Sequence, residues 1–464
     1  MQTIGAATVA APSMTHLHAA GKQRPNILFI MTDQQFAEAM SCRMGREFIR
    51  TPAMDSIAEN GMLFERAYCA NPLCVPSRAA LFTGRFTSET GVQTNSSPKL
   101  DPAEFPCIGT IFAQAGYDTG WVGKWHLPFA SREGTGHGFS YMRPGGKGDD
   151  GKSADLGIEF IKQKRDNPFL LAVSLRNPHD ICQWARGEEL PEGPIGDPPP
   201  PDQCPPLKAN HLPPENETDI ITFMRKSYQN SKTFPVGDFD DDKWRQYIWA
   251  YYRLIEMVDS EIAKVLAAVR ASGREEDTLI VFTSDHGDCH GAHKWNQKTV
   301  FYDEAALVPF IISHKGVTRA GTSDKLVQTG VDLIPTLCDY AGMAVPAGLK
   351  GVSVREIANG GEVTQWREYV VVCNKLAQGA PVDGVSREPD GRMVRSDRYK
   401  YCLYSEGERP ESLVDMVNDP GEMVNQTENP TFKPILAQHR AYLREYAELT
   451  GDEVALGALD RTRI

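Results

Sequence analysis

The chain lacks the features of a membrane-spanning or nucleic-acid-binding protein. Its sequence contains no apolar run close to the about 18–20 residues that a membrane-spanning helix needs. Basic residues are outnumbered, with 49 Lys and Arg against 61 Asp and Glu, which gives a formal net charge of −12. We therefore expect no membrane span and no nucleic-acid partner. Against this acidic background, a local cluster of cationic residues would indicate a site for an anion.

Paired cysteine motifs and a basic leader are also absent. The ten cysteines include no Cys-x-x-Cys pair and show no regular spacing, so most are expected to be buried apolar residues. Residues 1–20 contain no Asp, Glu, Lys or Arg and lack the basic start of a signal peptide. We interpret residues 1–24 as a leader or the remnant of an export signal, which predicts a periplasmic or secreted protein. A disordered leader on a cytoplasmic protein is the alternative, and export would allow one or two disulfides.

Short apolar segments, each followed by polar residues, recur through the first part of the chain. Four of them are Pro25–Met31, Tyr117–Val122, Phe169–Leu175 and Thr278–Thr283, and a long amphipathic helix is predicted over Trp244–Ala271. This alternation predicts an α/β fold with a large, mostly parallel sheet flanked by helices on both faces. Ligands bind beyond the carboxyl ends of such strands. The polar residues that follow the four segments are therefore expected to converge on one edge of the sheet.

The pattern changes after residue 365. Three short strands and one helix are predicted there, at Tyr369–Val372, Met393–Arg395, Tyr399–Tyr404 and Phe432–Leu449. We divide the chain into the leader, a catalytic domain of residues 25–365, and a smaller C-terminal α+β subdomain of residues 366–464 with a short antiparallel sheet. Two segments of the catalytic domain, Gly145–Ala154 and Pro191–Pro214, are predicted as surface loops because of their glycine and proline content.

Two acidic residues follow predicted strands that are far apart in the sequence. Asp33 follows the first segment, and Asp285, with His286, follows the fourth. Brought together, they would form a site for Ca²⁺ or Mg²⁺, because oxygen ligands suit hard cations. Gln34 could add a carbonyl oxygen, whereas Asp288 is not favoured as a ligand. The alternative is that each aspartate caps a helix or a turn, but the motifs described next favour the metal site.

Cationic and histidine residues accompany the same segments. Five of them are candidates for contacting the oxygens of an anionic ester: Arg78, Lys124, His126, His179 and Lys298. Fixed cations and N–H donors directed at those oxygens stabilise the charge that develops in a transition state. A solvated surface lysine is the simpler interpretation for Lys298 taken alone. Lys124 differs, because it lies between Gly123 and Trp125 directly after a predicted strand.

Cys74 begins the run Cys-Val-Pro-Ser-Arg, which continues to Arg85 and is predicted to enter a helix at Pro76. The free N–H groups at the start of a helix favour an anion nearby, and they favour a thiolate as well. Cys74 could therefore be a thiol nucleophile or simply a core residue. Its position alone does not distinguish these alternatives.

Taken together, these motifs resemble the signatures of the type I sulfatases, within the alkaline-phosphatase-like superfamily. The resemblance covers residues 25 to 425 and keeps the family's order: Asn26–Asp33, Cys74–Arg78, Gly123–His126, Asn177–His179, Ser284–Asp288, Lys298 and Asp419–Glu422. It implies an alkaline-phosphatase-like fold and the hydrolysis of sulfate esters of a sulfated saccharide or polysaccharide. It also implies that a formylglycine-generating or equivalent maturation enzyme oxidises Cys74 to formylglycine.

The resemblance implies a role for each candidate residue. The hydrate of the formylglycine would attack sulfur and form a covalent sulfate hemiester. The implied ligands of Ca²⁺ are Asp33, Gln34, Asp285, His286 and the modified residue 74. Arg78 and Lys124 would fix and activate the hydrate, and His126 would act as the base when the hemiester collapses. His179 and Lys298 would bind sulfate and protonate the leaving alcohol.

The chain departs from the family pattern at two ligand positions. Many members have two aspartates where this chain has Asp33 and Gln34, and asparagine is common in place of His286. Both variants occur in the wider superfamily, including choline sulfatases and phosphonate monoester hydrolases. The alternatives are therefore a phosphate or phosphonate ester hydrolase on the same scaffold, or a non-catalytic binder of sulfated glycans in which Cys74 stays a thiol.

Overall fold

Two β-sheets organise residues 24–132 and 134–462, the part of the chain that the computed structural model describes. The predicted leader lies outside this part except for Arg24. The larger sheet contains eight strands: β1 Asn26–Asp33, β2 Met62–Tyr68, β3 Asp118–Lys124, β4 Tyr141–Gly145, β5 Phe169–Pro178, β6 Thr278–Ser284, β7 Phe310–His314 and β8 Gly321–Gln328. The smaller sheet contains β9 Tyr369–Lys375, β10 Asp390–Ser396, β11 Tyr399–Tyr404 and β12 Glu411–Asp415.

Helices connect and cover these strands. The α-helices are α1 Ser41–Met44, α2 Pro52–Glu59, α3 Cys74–Thr83, α4 Thr87–Thr90, α5 Ile108–Gln114, α6 Asp150–Lys162, α7 Ile181–Ala185, α8 Asp219–Gln229, α9 Asp241–Ala271, α10 Asp303–Ala306, α11 Thr329–Tyr340, α12 Arg355–Ala358, α13 Lys433–Thr450 and α14 Glu453–Arg461. Short 3₁₀ turns are at Pro201–Gln203, Ala292–Lys294 and Pro430–Phe432.

The larger sheet is parallel except at one strand. Its order is β4-β3-β5-β1-β6-β7-β2-β8, and β7 runs antiparallel to both of its neighbours. All other pairs in the sheet are parallel. The predicted α/β class with a mostly parallel sheet is therefore confirmed.

Helices cover both faces of the larger sheet, because alternate residues of β1 enter different cores. Leu28 and Ile30 pack with the apolar sides of α2, α6, α8 and α9. Ile27, Phe29 and Met31 pack on the opposite face with α3, α5 and α11. A strand that is buried on both faces reads as a continuous apolar run, which explains why β1 could be predicted from the sequence.

One predicted loop is wrong and another is confirmed. The Gly145–Ala154 segment contains the end of β4 and the start of α6, because the apolar face that anchors this helix, including Phe160 and Ile161, lies beyond residue 154. Within Pro191–Pro214 the structure has only the 3₁₀ turn Pro201–Gln203, as expected for proline-rich chain.

The C-terminal region forms the predicted α+β unit. Its four strands are antiparallel in the order β12-β11-β10-β9, and α13 and α14 pack on the sheet in a core of their own. The sequence analysis did not predict α14, which begins at Glu453 with Asp452 as its N-cap, just after Gly451, a residue with a φ of 69° that ends α13. The domain boundary at residue 365 stays a prediction.

None of the helices in the described part of the chain has the length and apolar character that a membrane crossing requires. All ten cysteines lie in that part and are free thiols, and nine of them are buried. The expectation that most cysteines behave as small core residues is confirmed by this burial.

Candidate active site

The ends of four neighbouring strands bring the predicted site residues together. β3, β5, β1 and β6 are adjacent in the sheet, and their register pairs Gly123 with Ser174, Asp33 with Pro178, and Thr32 with Ser284. The residues at or just after these strand ends are Lys124, His179, Asp33, Gln34, Asp285 and His286. They therefore emerge side by side at one edge of the sheet, where ligands bind in open α/β folds.

The first turn of α3 brings Cys74 to the same edge. α3 begins at Cys74 itself, two residues before the predicted start, and it ends at Gly84, whose φ is 67°. Pro76 is compatible with the first turn because its missing N–H has no partner there in any helix. Every residue of α3 is buried, and the helix packs against α11. Cys74 is consequently held rigidly, with 1% of its surface exposed.

Cys74, Asp33, Asp285 and His286 form a compact group of potential metal ligands. Their ligand atoms all lie within 4.8 Å of one another. The Sγ atom of Cys74 is 3.2 Å from Nε2 of His286 and 3.9 Å from Oδ1 of Asp33. Nδ1 of His286 is 2.9 Å from the carbonyl oxygen of Gly287, so it carries the proton and donates to that oxygen. Nε2 is then the nitrogen that faces the group, as metal-binding histidines require.

This group fits a divalent cation. Two carboxylates that are completely buried need positive charge nearby, and oxygen ligands suit Ca²⁺ or Mg²⁺. Gln34 is adjacent, but its Oε1 accepts a hydrogen bond from Nζ of Lys298 at 2.6 Å. Its Nε2 donates to Oδ2 of Asp288 at 2.6 Å. Gln34 as a metal ligand stays a prediction, and Asp288 contacts Gln34 rather than the four-residue group.

Arg78 holds the two carboxylates in place from beneath. Its Nε donates to Oδ2 of Asp285 at 2.7 Å, and its Nη2 donates to Oδ2 of Asp33 at 3.0 Å. Its Nη1 donates to the Ser174 hydroxyl at 2.9 Å and to the Lys124 carbonyl oxygen at 3.0 Å. The guanidinium is fully buried. A planar donor with this many fixed partners links β1, β3, β5 and the residue after β6.

Two lysines point at Cys74 from different sides. Nζ of Lys298 is 3.3 Å from Sγ of Cys74, and Nζ of Lys124 is 4.0 Å from it. Lys124 also pairs with Asp33. Lys298 belongs to the long connection between β6 and β7 and is 4% exposed. The interpretation of Lys298 as a solvated surface lysine is therefore wrong.

The two catalytic histidine candidates differ in position. His179 interacts with Cys74 and is partly exposed, and its Nδ1 is buried without a hydrogen-bond partner. Burial, Lys298 and Lys124 lower the pKa of His179 to about 3, so its imidazole is neutral. His126 has an exposed side chain and a φ of 40° in the turn after β3. The structure thus places His126 outside the buried cluster.

The charges around Cys74 activate its thiol. Burial and Asp33 each raise the pKa of Cys74, but Lys124, Lys298 and His286 lower it, and the result lies well below the usual range of a thiol. Burial also raises the pKa of Asp33, yet Lys124 and Arg78 hold it well below its usual value. Such displaced pKa values are typical of functional sites.

Sequence reasoning missed residues that support this cluster. Ser174 interrupts the apolar run of β5, and its hydroxyl accepts a hydrogen bond from Arg78. A serine inside a buried strand was therefore the signal that could have identified this residue. Ser77 lies in the Cys74–Arg78 run and donates to the carbonyl oxygen of Asp285. Tyr251 of α9 donates to the carbonyl oxygen of Gln34 at 2.8 Å. No local pattern in the sequence predicts this last contact, because α9 is remote along the chain.

Comparisons with protein families match almost the whole described chain. The family model named Sulfatase matches residues 25–343. A second model, for the C-terminal region of N-sulphoglucosamine sulphohydrolase, matches residues 291–448.

Individual relatives extend over nearly the same length. The Δ4,5-hexuronate-2-O-sulfatase of Bacteroides thetaiotaomicron is 30% identical and covers 94% of this chain and 91% of its own. The N-acetylglucosamine-6-O-sulfatase of the same species is 28% identical, with 87% of this chain and 82% of its own covered. A solved structure of a 2-O GAG sulfatase is 30% identical, covers 93% of each chain, and gives a TM-score of 0.79.

Proposed function

Because this chain belongs to the sulfatase family and is a sulfuric ester hydrolase, we propose that it removes sulfate from a sulfated saccharide through a formylglycine made from Cys74. The observation that carries the proposal is the convergence on Cys74 of two carboxylates, one imidazole and two ammonium groups. A pocket with this charge pattern suits an anion held by a divalent cation and fixed N–H donors. A maturation enzyme is required as a partner, because the proposal needs an oxidised side chain at position 74.

The donor set of Asp33, Asp285, His286 and residue 74 would hold Ca²⁺, with Gln34 as a further oxygen ligand. When bound, the cation would supply Lewis acidity toward a sulfate oxygen and toward the nucleophile. Arg78 orients both carboxylates by occupying one oxygen of each. The other oxygen of each residue, Oδ1, faces the group and would be the ligand atom, although Oδ1 of Asp285 also accepts the backbone N–H groups of Gln34 and His286.

Lys298 and His179 would act on the ester itself. Burial lowers the pKa of Lys298, but Cys74, Cys182 and Asp33 raise it above its usual value, so its side chain is an ammonium and can bind sulfate and protonate the leaving oxygen. His179 is neutral, and its unpartnered Nδ1 gives it capacity for one hydrogen bond to the substrate. Lys124 would fix the nucleophile from the other side of residue 74. For His126, a role as base requires the side chain to turn inward from its exposed position.

The substrate class is proposed from the relatives. Two of them are named for sulfate on a hexuronate and on N-acetylglucosamine, and the solved structure is named for a glycosaminoglycan. We infer a substrate of the glycosaminoglycan type. Export to the periplasm or the medium stays a prediction from the leader.

Release of sulfate from defined saccharides tests the proposal. The panel contains 2-O-sulfated hexuronate disaccharides, 6-O-sulfated N-acetylglucosamine, an aryl sulfate and an aryl phosphonate. Before the assay, the mass of the peptide that carries residue 74 is measured, and formylglycine makes it about 18 Da lighter than the thiol, as the change of nucleophile demands. Cys74→Ala is the matched control and should release no sulfate while still binding the saccharide.

Three outcomes would contradict the proposal. Faster turnover of the phosphonate than of every sulfate would favour the phosphonate hydrolase alternative. Absence of turnover by protein with confirmed formylglycine would favour a glycan binder. Undiminished turnover by Cys74→Ala would exclude residue 74 as the nucleophile.

A further inference from the structure

Asp288, Gln34 and Lys298 form a continuous line of hydrogen bonds that ends at Cys74. Oδ2 of Asp288 accepts from Nε2 of Gln34 at 2.6 Å, and Oε1 of Gln34 accepts from Nζ of Lys298 at 2.6 Å. Nζ of Lys298 then lies 3.3 Å from Sγ of Cys74. Asp288 and Gln34 are completely buried and Lys298 is 4% exposed, so water does not substitute freely for these contacts.

The polarity of this line is fixed by its two ends. A lysine ammonium only donates hydrogen bonds, so the amide atom that faces Lys298 must be the oxygen. The amide nitrogen of Gln34 must then face Asp288, which has to accept. The other oxygen of Asp288, Oδ1, already accepts from the backbone N–H of His290 at 2.6 Å. The carboxylate of Asp288 therefore selects the same orientation of the Gln34 amide as the Lys298 ammonium does.

Among the described residues, only Asp288 and Lys298 offer the Gln34 amide a strong partner that fixes its orientation. The backbone of Gln34 is pinned by the N–H bond to Oδ1 of Asp285 at 3.1 Å and by the Tyr251 hydroxyl, and its φ is 74°. Rotation of the terminal amide is thus the freedom that remains. The third neighbour of the amide is the Cys182 thiol at 3.6 Å, which is a weak donor and a weak acceptor.

The backbone around Lys298 needs such a fixed partner. Gln297 and Thr299, on either side of Lys298, have φ values of 64° and 76°, a region that non-glycine residues rarely occupy. Conformations of this kind persist only where surrounding contacts impose them. The backbone N–H of Gln297 also interacts with the carboxylate of Asp288. Asp288 therefore contacts the Lys298 segment through the backbone and, by way of Gln34, through the side chain.

We propose that Asp288 is a positioning residue: by orienting the amide of Gln34, it directs the amide oxygen at Lys298 and holds the ammonium against residue 74. This inference rests on the proposed function for the role of Lys298. It also predicts that Oε1 of Gln34, and not its Nε2, faces Lys298. An oxygen rather than an N–H group is then available beside the cation site.

A charge-conserving exchange tests the proposal. In Asp288→Asn, we expect the amide oxygen to stay on the backbone N–H of His290, so that its NH₂ group opposes the N–H of Gln34. The Gln34 amide then reverses and presents donors to Lys298. In Gln34→Glu, two carboxylates face each other. The double variant Gln34→Glu/Asp288→Asn restores one donor facing one acceptor and keeps an oxygen toward Lys298, with the same total charge. The matched control is Asp259→Asn, which alters another buried aspartate that accepts two backbone N–H groups, those of Ala53 and Met54.

For the fully matured enzyme, we expect kcat/KM to fall about 10–100-fold in each single variant, as for groups that orient site residues. The double variant should recover at least tenfold relative to Gln34→Glu, and Asp259→Asn should keep the wild-type value. A double variant no better than Gln34→Glu would overturn the proposal. That comparison stands even if Asp288→Asn alone fails to fold.

A second readout is independent of turnover and of the cation. In metal-free enzyme labelled with ¹⁵N-glutamine, the Gln34 side-chain amide signal is assigned by its absence in Gln34→Glu. It should shift in Asp288→Asn and stay unchanged in Asp259→Asn, and an unshifted signal in Asp288→Asn would refute the selected orientation. If the wild type released no sulfate but this shift occurred, the proposed function would fail while the orienting role of Asp288 held.

Discussion

Replacement of Arg78 by methionine tests how much the charge of the guanidinium stabilises the protein, because it removes that charge and keeps much of the side-chain packing. Methionine fills much of the same volume but leaves the carboxylates of Asp33 and Asp285 without their shared guanidinium, which contacts them at 3.0 and 2.7 Å. Removal of one partner of a buried ion pair costs about 3–5 kcal/mol. With about 2.1 cal/mol/K of unfolding entropy per residue, the 464-residue chain should lose about 3–5 °C in Tm.

Calcium should offset part of this loss, because a cation at the same carboxylates replaces the missing positive charge. Both proteins gain when calcium binds, by about 2.7 kcal/mol at 100 times Kd, and the variant gains more because its carboxylates lack the guanidinium that repels the cation. The Tm difference between wild type and Arg78→Met, measured by scanning calorimetry in EDTA, should therefore shrink when calcium is added. Without calcium, the two carboxyl groups of Arg78→Met can instead be neutralised by protons. The Tm difference between the wild type and the variant in EDTA should therefore also decrease at acidic pH.

Arg392→Met is the matched control for this experiment. Arg392 is 3% exposed and pairs with Asp452 at 2.5 and 3.0 Å in the C-terminal core, remote from the candidate cation site. The Tm of Arg392→Met should fall by a similar amount. The Tm difference between this variant and the wild type should be the same in EDTA and in calcium. If calcium narrowed both differences equally, or if Arg78→Met matched the wild type in EDTA, the account of Arg78 as the counter-ion of a cation site would be refuted.

Three further variants test other parts of the molecule. His286→Ala removes a ligand, so calcium affinity by titration calorimetry should fall at least about tenfold; unchanged affinity would place the cation elsewhere. Burial raises the pKa of Glu422 to about 8, although Lys400 opposes this. The folded protein therefore favours the protonated carboxyl, and the stability that Glu422 contributes at low pH is lost as the pH rises through about 8. The Tm of Glu422→Gln should therefore rise relative to the Tm of the wild type between pH 6 and pH 9. A Tm difference that stayed constant over this range would contradict the raised pKa of Glu422. Gly123→Ala places a Cβ against the carbonyl oxygen of Ser174 at a φ of 88°, so we expect a loss of about 2 kcal/mol or more in a melting experiment, and wild-type stability would exclude this close approach.

The fold was predictable wherever one strand or helix carries its own pattern. β1, β5 and β6 are continuous apolar runs because both of their faces are buried, and α9 shows the three- and four-residue spacing of an amphipathic helix. β7 was not predicted, and its antiparallel direction could not have been read from its sequence, because parallel and antiparallel strands buried on both faces look alike. The start of α6 was missed since its anchoring apolar residues lie beyond the glycine-rich segment that precedes them.

The candidate site divides in the same way. Residue types and strand ends indicated Asp33, Cys74, Arg78, Lys124, His179, Asp285, His286 and Lys298, all of which the fold brings into one cluster. His126 belongs to the same motif as Lys124, yet the turn after β3 leaves it exposed. The adjacent residue, Trp125, is buried. Only the backbone path of the turn determines which of these two side chains faces inward.

The sequence by itself determined the chemical groups and the edge of the sheet on which they meet, because alternating strands and helices predict a parallel sheet whose strands end on one edge. Only the tertiary structure decided which atoms face each other. The orientation of Gln34 between Asp288 and Lys298, and the sharing of Arg78 between two carboxylates, depend on contacts between segments some 200 or more positions apart. Such contacts leave no periodic signal, since each is fixed by the packing of the whole domain rather than by its own neighbours in the chain.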